Sequence, residues 1–500
     1  MRMKLLIANR GEIALRIIRT CRKLGVRTVL VHSDADRESL PMRYADERYA
    51  LHRSTPSETY LNIPKLVTAA KDSGCDAIHP GYGFLSENSD FVKACEESGL
   101  IFIGPSSAAL EKLGNKLQAR QSMKDSGVRV IPGSDGALND EEEAVTVAEE
   151  IGYPVILKAV YGGGGRGMRV ARNSDEARRF YRITKLESIS AFGREAIYIE
   201  KRLENPRHVE IQAMADRHGK VVSLGERECS IQRRHQKLLE EAPSVALDES
   251  LREELNNAAK RGLAAASYTN AGTVEFLIEK TGKFYFLEVN KRLQVEHLVT
   301  ELTTRIDIVE EQLKVASDSH LGFSQNEIAV NGWAINCRIN AEDPRKNFVP
   351  SPGTVIHYHP ASGPGVRVDS ALFSGCSVPE YYDSLIAKLA TWGANRQEAI
   401  QRMRTALDEM EILGVPTTIS LHRELMRDEG FVHGNFDTAY LNAVLPRLNS
   451  KILEYEKLAA VVAAAGRIRS PVAQTIGVYK SSRWRSAART ESMTGQRRAG

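Results

Sequence analysis

The chain has 500 residues, 42% of them apolar and 26% charged, with a net charge of +4. At roughly 100–200 residues per domain this length excludes a single small module and points to about three domains, and no apolar run approaches the ~20 residues that span a bilayer, which excludes a membrane-spanning helix. Residues 451–500 hold ten Lys and Arg against three Glu, a net of +7 that leaves −3 on the preceding 450 residues, so the body is not built to hold nucleic acid and any partner signal sits in the tail.

The first 110 residues alternate strand and helix. Residues 5–8 read as a buried strand, 11–24 as a helix ended by Gly25, and 28–32 as a second strand. Helix 63–74, strand 77–80, helix 89–99 and strand 101–104 follow. Short strands between helices predict a parallel α/β sheet. The first turn, N-R-G-E-I-A, has one glycine where the fingerprint G-x-G-x-x-G has three; a Rossmann-like domain that binds no dinucleotide is expected. A helical stretch 106–126 leads to strands 153–160 and 168–171 around a glycine loop, then to strands 196–201, 207–215 and 219–226. Residues 248–266 are helical, 272–279 and 284–290 form a hairpin, 300–318 are helical, and 330–445 mix strands with a helix at 396–410. From about 446 a helical segment runs into a Ser/Arg/Gly-rich end expected to be disordered. The six cysteines are scattered with no C-x-x-C pair, so a reducing, cytoplasmic setting is expected.

Residues 162–167 hold five glycines in six. Without Cβ atoms, backbone N–H groups approach phosphate oxygens closely, and the entropic cost of glycine makes such a loop a mobile lid. Lys158, on the strand before it, reaches phosphates as a point charge. No Gly-Lys-Ser/Thr follows, so this is not a Walker A loop. On the loop alone, a flexible surface hairpin competes with that reading.

With a two-residue turn at Thr281-Gly282, Glu275 faces Glu288 across the hairpin. Opposed side chains lie ~4.5–5.5 Å apart at Cβ, and like charges there repel. A divalent cation removes the repulsion, and oxygen-only ligands suit Mg²⁺ or Mn²⁺. Alternation puts Glu288, Asn290, Arg292 and Gln294 on one face and Leu287 and Val289 on the other. A one-residue slip would instead leave two unrelated glutamates. Arg292 offers a planar fork for an oxyanion such as bicarbonate, and Glu296 is a candidate base, although their spacing alone favours a solvated i,i+4 pair. Over 226–237, alternation puts Arg233, His235 and Lys237 on one face, either a site for an anion or a surface charge stripe. His297 and Cys229 read as structural.

Together GGGGRGMR, ENPRHVEIQ, RECSIQRRHQKLLEEAPS, NAGTVEFL and LEVNKRLQVEHLVTE resemble biotin carboxylase, an ATP-grasp family; IANRGEIALRI, PGYGFLSEN and YYDSLIAKL extend the resemblance over about residues 1–445. Length and trailing helix are most similar to stand-alone subunits, such as the A subunit of two-subunit pyruvate carboxylase or the biotin carboxylase subunit of acetyl-CoA carboxylase. The resemblance implies a multidomain α/β and α+β fold: a Rossmann-like N-terminal domain (1–114), an ATP-grasp domain (115–330) whose mobile glycine-rich lid spans about 130–203, a biotin carboxylase C-terminal domain (331–445) and a basic tail (446–500).

It also carries roles onto matching positions. Lys116, Lys158, Gly164 and Gly165 would hold ATP phosphates. Glu200, Lys201, Leu203 and His208 would line the adenosine site, with Gln232 and His235 near the nucleotide. Glu275 and Glu288 would belong to the ATP site and, with Asn290, hold two Mg²⁺ or Mn²⁺ ions. Lys237, Arg292, Gln294 and Val295 would hold bicarbonate, Glu296 would be the base, and Arg338 would face biotin with Tyr82 nearby. Asn115, Lys291 and Leu298 depart from the residues usual in the family. The implied activity is ATP- and bicarbonate-dependent carboxylation of biotin through carboxyphosphate. Biotin would ride not on this chain but on a carrier protein or a biotin-bearing carboxyltransferase subunit; a homodimer and no nucleic-acid or membrane partner are expected. An ATP-grasp ligase acting on another carboxylate and a regulatory subunit without turnover are the competing readings, the second disfavoured by the complete set Glu275, Glu288 and Glu296.

Overall fold

The computed structural model describes residues 3–160, 168–192 and 195–469. The glycine loop 161–167, with Gly164 and Gly165, and the Ser/Arg/Gly-rich end from 470 lie outside the described residues.

The N-terminal alternation builds a parallel five-stranded sheet in the order Glu47–Ala50, Arg27–His32, Lys4–Ile7, Ala77–His79, Ile101–Phe102. The edge strand Glu47–Ala50 has no clear sequence signal, because ERYA is only half-buried and carries no apolar run. Helix Gly11–Leu24 turns Ile13, Ile17 and Ile18 inward and stops at Gly25, whose φ of 68° favours glycine. The stretch 106–126 is two helices, Ser107–Gly114 and Lys116–Asp125, parted at Asn115, whose side chain accepts from the amides of Leu117 and Gln118. Asn caps a helix about as well as Asp or Ser, so this departure from the family is conservative. The stretch 300–318 is likewise two helices, His297–Thr304 and Ile308–Ala316, the second capped by Asp307.

Strands Met168–Ala171, Val155–Ala159 and Ile197–Lys201 form an antiparallel sheet. Lys158 pairs with Met168, so the strands flanking the glycine loop do pair as a hairpin. Helices Glu141–Ile151 and Ser174–Phe192, which the sequence reading does not include, cover this sheet with Ala144, Ala148, Ala177 and Tyr181.

The largest sheet has eight strands: Phe284–Asn290, Asn270–Ile278, Arg207–Ala215, Val221–Arg233, Gln236–Ala242, Trp333–Asn340, Leu385–Gly393 and Val366–Ser370, in that spatial order. Gln236–Ala242 pairs antiparallel with Trp333–Asn340, so the sheet passes unbroken into the C-terminal part of the body. Lys237, Glu275 and Arg338 therefore stand on one continuous surface. Ile13, Ile17 and Ile18 share a buried cluster with Leu293, Ile308 and Leu313, which fastens the segment 291–296 to the N-terminal sheet. Residues 1–449 form one compact unit. In the second, from Ser450, helix Tyr440–Arg469 continues and exposes Leu453, Tyr455, Leu458, Val461 and Val462. No helix among the described residues is long and apolar enough to cross a membrane.

Candidate active site

Glu275 and Glu288 are register partners, but not by the route the sequence suggests. The loop holds three residues, 280–282, closed between Glu279 and Lys283 with Gly282 at φ 80°. Pairing then runs Ile278 with Phe284, Leu277 with Tyr285 and Phe276 with Phe286. A β-bulge at Leu287 adds one residue and brings 275 opposite 288. The bulge also breaks the expected alternation: Leu287 lines a cavity with Glu288, while Val289 packs in the core.

Two cavities meet at this pair. One, of about 370 Å³, is lined by Lys116, Lys158, Glu200, Lys201, Leu203 and Gln232. The other, of about 470 Å³, is lined by Tyr82, Lys237, Asn290, Arg292, Gln294, Val295 and Arg338. His208, His235, Glu275 and Glu288 border both. Glu296 has no exposed surface and lies beneath the larger cavity, reached through Lys237 and Arg338.

A network of buried charges fixes these groups. Lys237 Nζ donates to Glu210 at 2.5 Å, Glu275 at 2.8 Å and Glu296 at 2.9 Å. Arg338 donates to Glu240 at 2.5 Å and to Glu296 at 3.0 Å. Arg227, fully buried, holds Glu210 from the far side. Glu275 also accepts from Asn290 Nδ2 at 2.6 Å and lies 2.8 Å from His208 Nε2. Burial pushes the Glu296 carboxyl up, but Lys237, Arg338 and Arg227 overcome it and hold it well below the usual carboxylate range. The Glu275 carboxyl is likewise low, against burial, through Lys237 and His208. Glu288 goes the other way: burial and then the charge of Glu275 raise it. Cys229 brings its sulfur near Glu210 and Glu296, but burial and those carboxylates push the thiol up and Lys237 already neutralises the acids, so it is packed as the sequence suggests.

On the nucleotide side Lys158 pairs with Glu200. Burial pulls the Lys116 ammonium down, with Glu288 opposing and Lys158 adding to the fall. The Lys201 ammonium donates to the carbonyls of Gly152 and Tyr153, so only the rest of this residue faces the cavity. On the other side Arg292 and Glu296 are not a solvated pair. Arg292 donates to Glu87 at 3.1 Å and to Gln294 at 3.0 Å. Lys291 lines neither cavity and sits 3.6 Å from Glu87; Leu298 is buried. His297 is buried against the Gln294 carbonyl, and its imidazole is pulled well below its ordinary pKa by burial. Arg233, His235 and Lys237 do face one cavity, but not as one strand face: Arg234 and His235 form a two-residue turn with φ of 50° and 65°. Glu87, Glu210, Glu240 and Arg227 are site residues that the sequence reading does not single out. Glu210 has a signal, since it follows His208 at the strand period of two.

Three family models match the chain in order: "Biotin carboxylase, N-terminal domain" over residues 1–110, "Carbamoyl-phosphate synthase L chain, ATP binding domain" over 115–323, and "Biotin carboxylase C-terminal domain" over 336–443. Biotin carboxylase 1 of Bacillus subtilis (strain 168) is 53% identical over 439 residues, covering 88% of this chain and 98% of that one. The chain belongs to the biotin carboxylase family. The pyruvate carboxylase A subunit of Methanothermobacter thermautotrophicus is 48% identical over 481 residues, covering 93% of this chain and 98% of that one. Among solved structures, the biotin carboxylase domain dimer of Hydrogenobacter thermophilus 2-oxoglutarate carboxylase, in complex with MgADP, ADP and bicarbonate, superposes with a TM-score of 0.86 at 46% identity over 90% of this chain and 99% of that one.

As a biotin carboxylase the chain is an ATP-grasp ligase that uses ATP to carboxylate biotin. The residues fit the divalent ion this chemistry uses. Glu275, Glu288 and Asn290 offer oxygen donors alone, and among the described residues Glu288 has no hydrogen-bond donor of its own.

Proposed function

We propose that the junction between the two cavities is where phosphate and bicarbonate meet, and that biotin arrives on a separate chain. The shared border of Glu275 and Glu288 is the observation that supports this most: a nucleotide phosphate in one cavity and an oxyanion in the other would approach each other there. In this reading Lys116, Lys158, Gly164 and Gly165 hold phosphates. Glu200, Leu203, His208, Gln232, His235 and the backbone of Lys201 border the rest of the nucleotide. Glu275, Glu288 and Asn290 hold two Mg²⁺ or Mn²⁺ ions, which when bound neutralise phosphate charge.

Lys237, Arg292, Gln294 and Val295 hold bicarbonate in line with the terminal phosphate, where positioning supplies most of the rate. Glu296 takes the bicarbonate proton. The freed oxygen attacks the γ-phosphorus, ADP leaves, and carboxyphosphate collapses to CO₂ and phosphate. Phosphate takes the N1 proton of biotin, and Arg338, with Tyr82 nearby, steadies the ureido oxyanion as N1 attacks CO₂. Free, Glu296 is a weak base because Lys237 and Arg338 neutralise it. Those are the two cations assigned to bicarbonate and biotin. As they turn to the substrates, Glu296 loses its counter-charge, and burial raises its basicity when a base is needed.

The match to the Methanothermobacter protein covers 93% of the chain, which exceeds residues 1–449, whereas the match to the Bacillus protein covers 88%. The tail helix thus favours a biotin-bearing partner of the two-subunit pyruvate carboxylase kind, and in this reading the chain is a cytoplasmic homodimer. ADP release that rises with both bicarbonate and free biotin tests the reaction; release indifferent to bicarbonate would overturn it.

A further inference from the structure

Lys388 lies in the strand Leu385–Gly393, and its side chain has no exposed surface. Its ammonium is 3.0 Å from Glu12 Oε2 and donates to the Val295 carbonyl at 3.2 Å. It stands 5.6 Å from the centre of the Tyr82 ring and 3.9 Å from Asp369 Oδ2. The other carboxylate oxygen of Glu12 accepts from the Tyr82 hydroxyl. Three parts of the chain therefore meet around one nitrogen: Glu12 and Tyr82 from the N-terminal sheet region, Val295 from the segment after the hairpin, and Lys388 itself with Asp369 from the two strands at the far end of the large sheet.

Removing an ammonium from water costs several kcal/mol, and a buried ion pair often stabilises no more than apolar residues of the same volume. Stability alone does not explain a charge there. What the charge does is hold a carbonyl. The Val295 oxygen belongs to the peptide plane that continues into Glu296, so fixing that oxygen fixes the plane from which the base projects. Glu12 stands between the Lys388 ammonium and the Tyr82 hydroxyl, so the orientation of one constrains the other.

We propose that Lys388 is a positioning residue, which sets the Val295–Glu296 peptide for bicarbonate and, through Glu12, the Tyr82 hydroxyl on the biotin side. This rests on the assignment of Val295 and Glu296 to bicarbonate. Lys388 touches no reacting atom; it acts through backbone and a carboxylate. Its removal should loosen bicarbonate while sparing the nucleotide, whose cavity it does not line.

The experiment is steady-state ADP release by the full chain with MgATP, bicarbonate and free biotin, for wild type, Lys388→Met and Glu12→Gln, with MgADP affinity measured alongside. The KM for bicarbonate should rise about tenfold in Lys388→Met and about threefold in Glu12→Gln, with MgADP affinity within about twofold in both. A bicarbonate KM unchanged in both variants, or a fall in MgADP affinity in step with it, overturns the positioning role. Should Lys388→Met fail to fold, Glu12→Gln decides, because Gln keeps the size of the side chain and still accepts a hydrogen bond. If wild-type release does not respond to bicarbonate at all, the bicarbonate assignment falls and the role of Lys388 with it.

Discussion

The ammonium of Lys237 lies 2.9 Å from one carboxylate oxygen of Glu296. Arg338 takes the other oxygen, and the two cations keep Glu296 well below the usual carboxylate range in the free chain. If bicarbonate and biotin draw these cations away, the carboxyl should titrate higher in the complex than in the free enzyme. The acid limb of kcat reports the complex and that of kcat/KM the free enzyme. We expect the kcat limb for carboxybiotin formation to lie at higher pH than the kcat/KM limb for bicarbonate, after correction for bicarbonate ionisation. Coincident limbs would mean that Glu296 keeps its counter-charges throughout.

Glu296→Gln keeps the shape and removes the base. Lys237 retains Glu210 and Glu275 in such a variant, so the network should survive. MgADP should bind as before while biotin-dependent turnover falls about 100-fold or more. Near wild-type carboxybiotin formation would remove Glu296 from the base role.

Arg338→Ala should harm biotin carboxylation more than bicarbonate-dependent ATP cleavage. The structure adds a stability effect, because Glu240 is fully buried and Arg338 is its ion-pair partner. Stranding one member of such a pair costs about 3–5 kcal/mol. Adding Glu240→Gln should restore the melting temperature without restoring carboxylation. Recovery of both, or equal losses in the two reactions of the single variant, would contradict the biotin-side role.

Local signals make much of this site legible, and one of them works by compensation. A two-residue turn predicts the pairing of Glu275 with Glu288, while the chain reaches it with three residues and a bulge at Leu287 that no residue type announces. The turn at Arg234 and His235 is hidden because neither glycine nor asparagine marks it. Glu12, Glu87 and Glu240 are brought in by packing between distant segments, which periodicity cannot see. Lys388 is 93 residues from the carbonyl it holds, yet a lysine inside the apolar run LIAKLATW is itself a readable sign of a paired, buried charge.

Burial raises the Glu12 carboxyl from 4.5 to about 7, although Lys388 opposes it; Asp369 adds to the rise and Arg367 reduces it, with Tyr82 bonded alongside. Below pH 4.5 both folded and unfolded chains hold this proton. Between 4.5 and about 7 the unfolded chain releases it first, so stability falls as pH rises; above about 7 the loss is complete. Chemical denaturation of wild type and Glu12→Gln across this range should give a stability difference that moves against the wild type up to about pH 7 and then levels. A difference independent of pH would show that Glu12 ionises alike in both states.

The tail is expected to serve docking and not chemistry. Every residue assigned to hold a substrate or a metal ion, or to act as the base, precedes residue 340, and the body is compact through Asn449. From 453 onward the described helix exposes the apolar side chains Leu453, Tyr455, Leu458, Val461 and Val462. The +7 charge of 451–500 lies on the same segment, which suits a partner surface that is apolar and acidic. Attraction of that kind chiefly speeds association and fades as salt shortens the Debye length to about 10 Å at 0.1 M. Deleting 451–500 should leave carboxylation of free biotin nearly intact. It should weaken assembly with the biotin-bearing subunit, most of all at low salt, as read by binding kinetics over a salt series. Unchanged affinity across that series would make the tail dispensable for assembly. A loss that does not vary with salt would assign docking to the apolar face of the helix and not to the basic end.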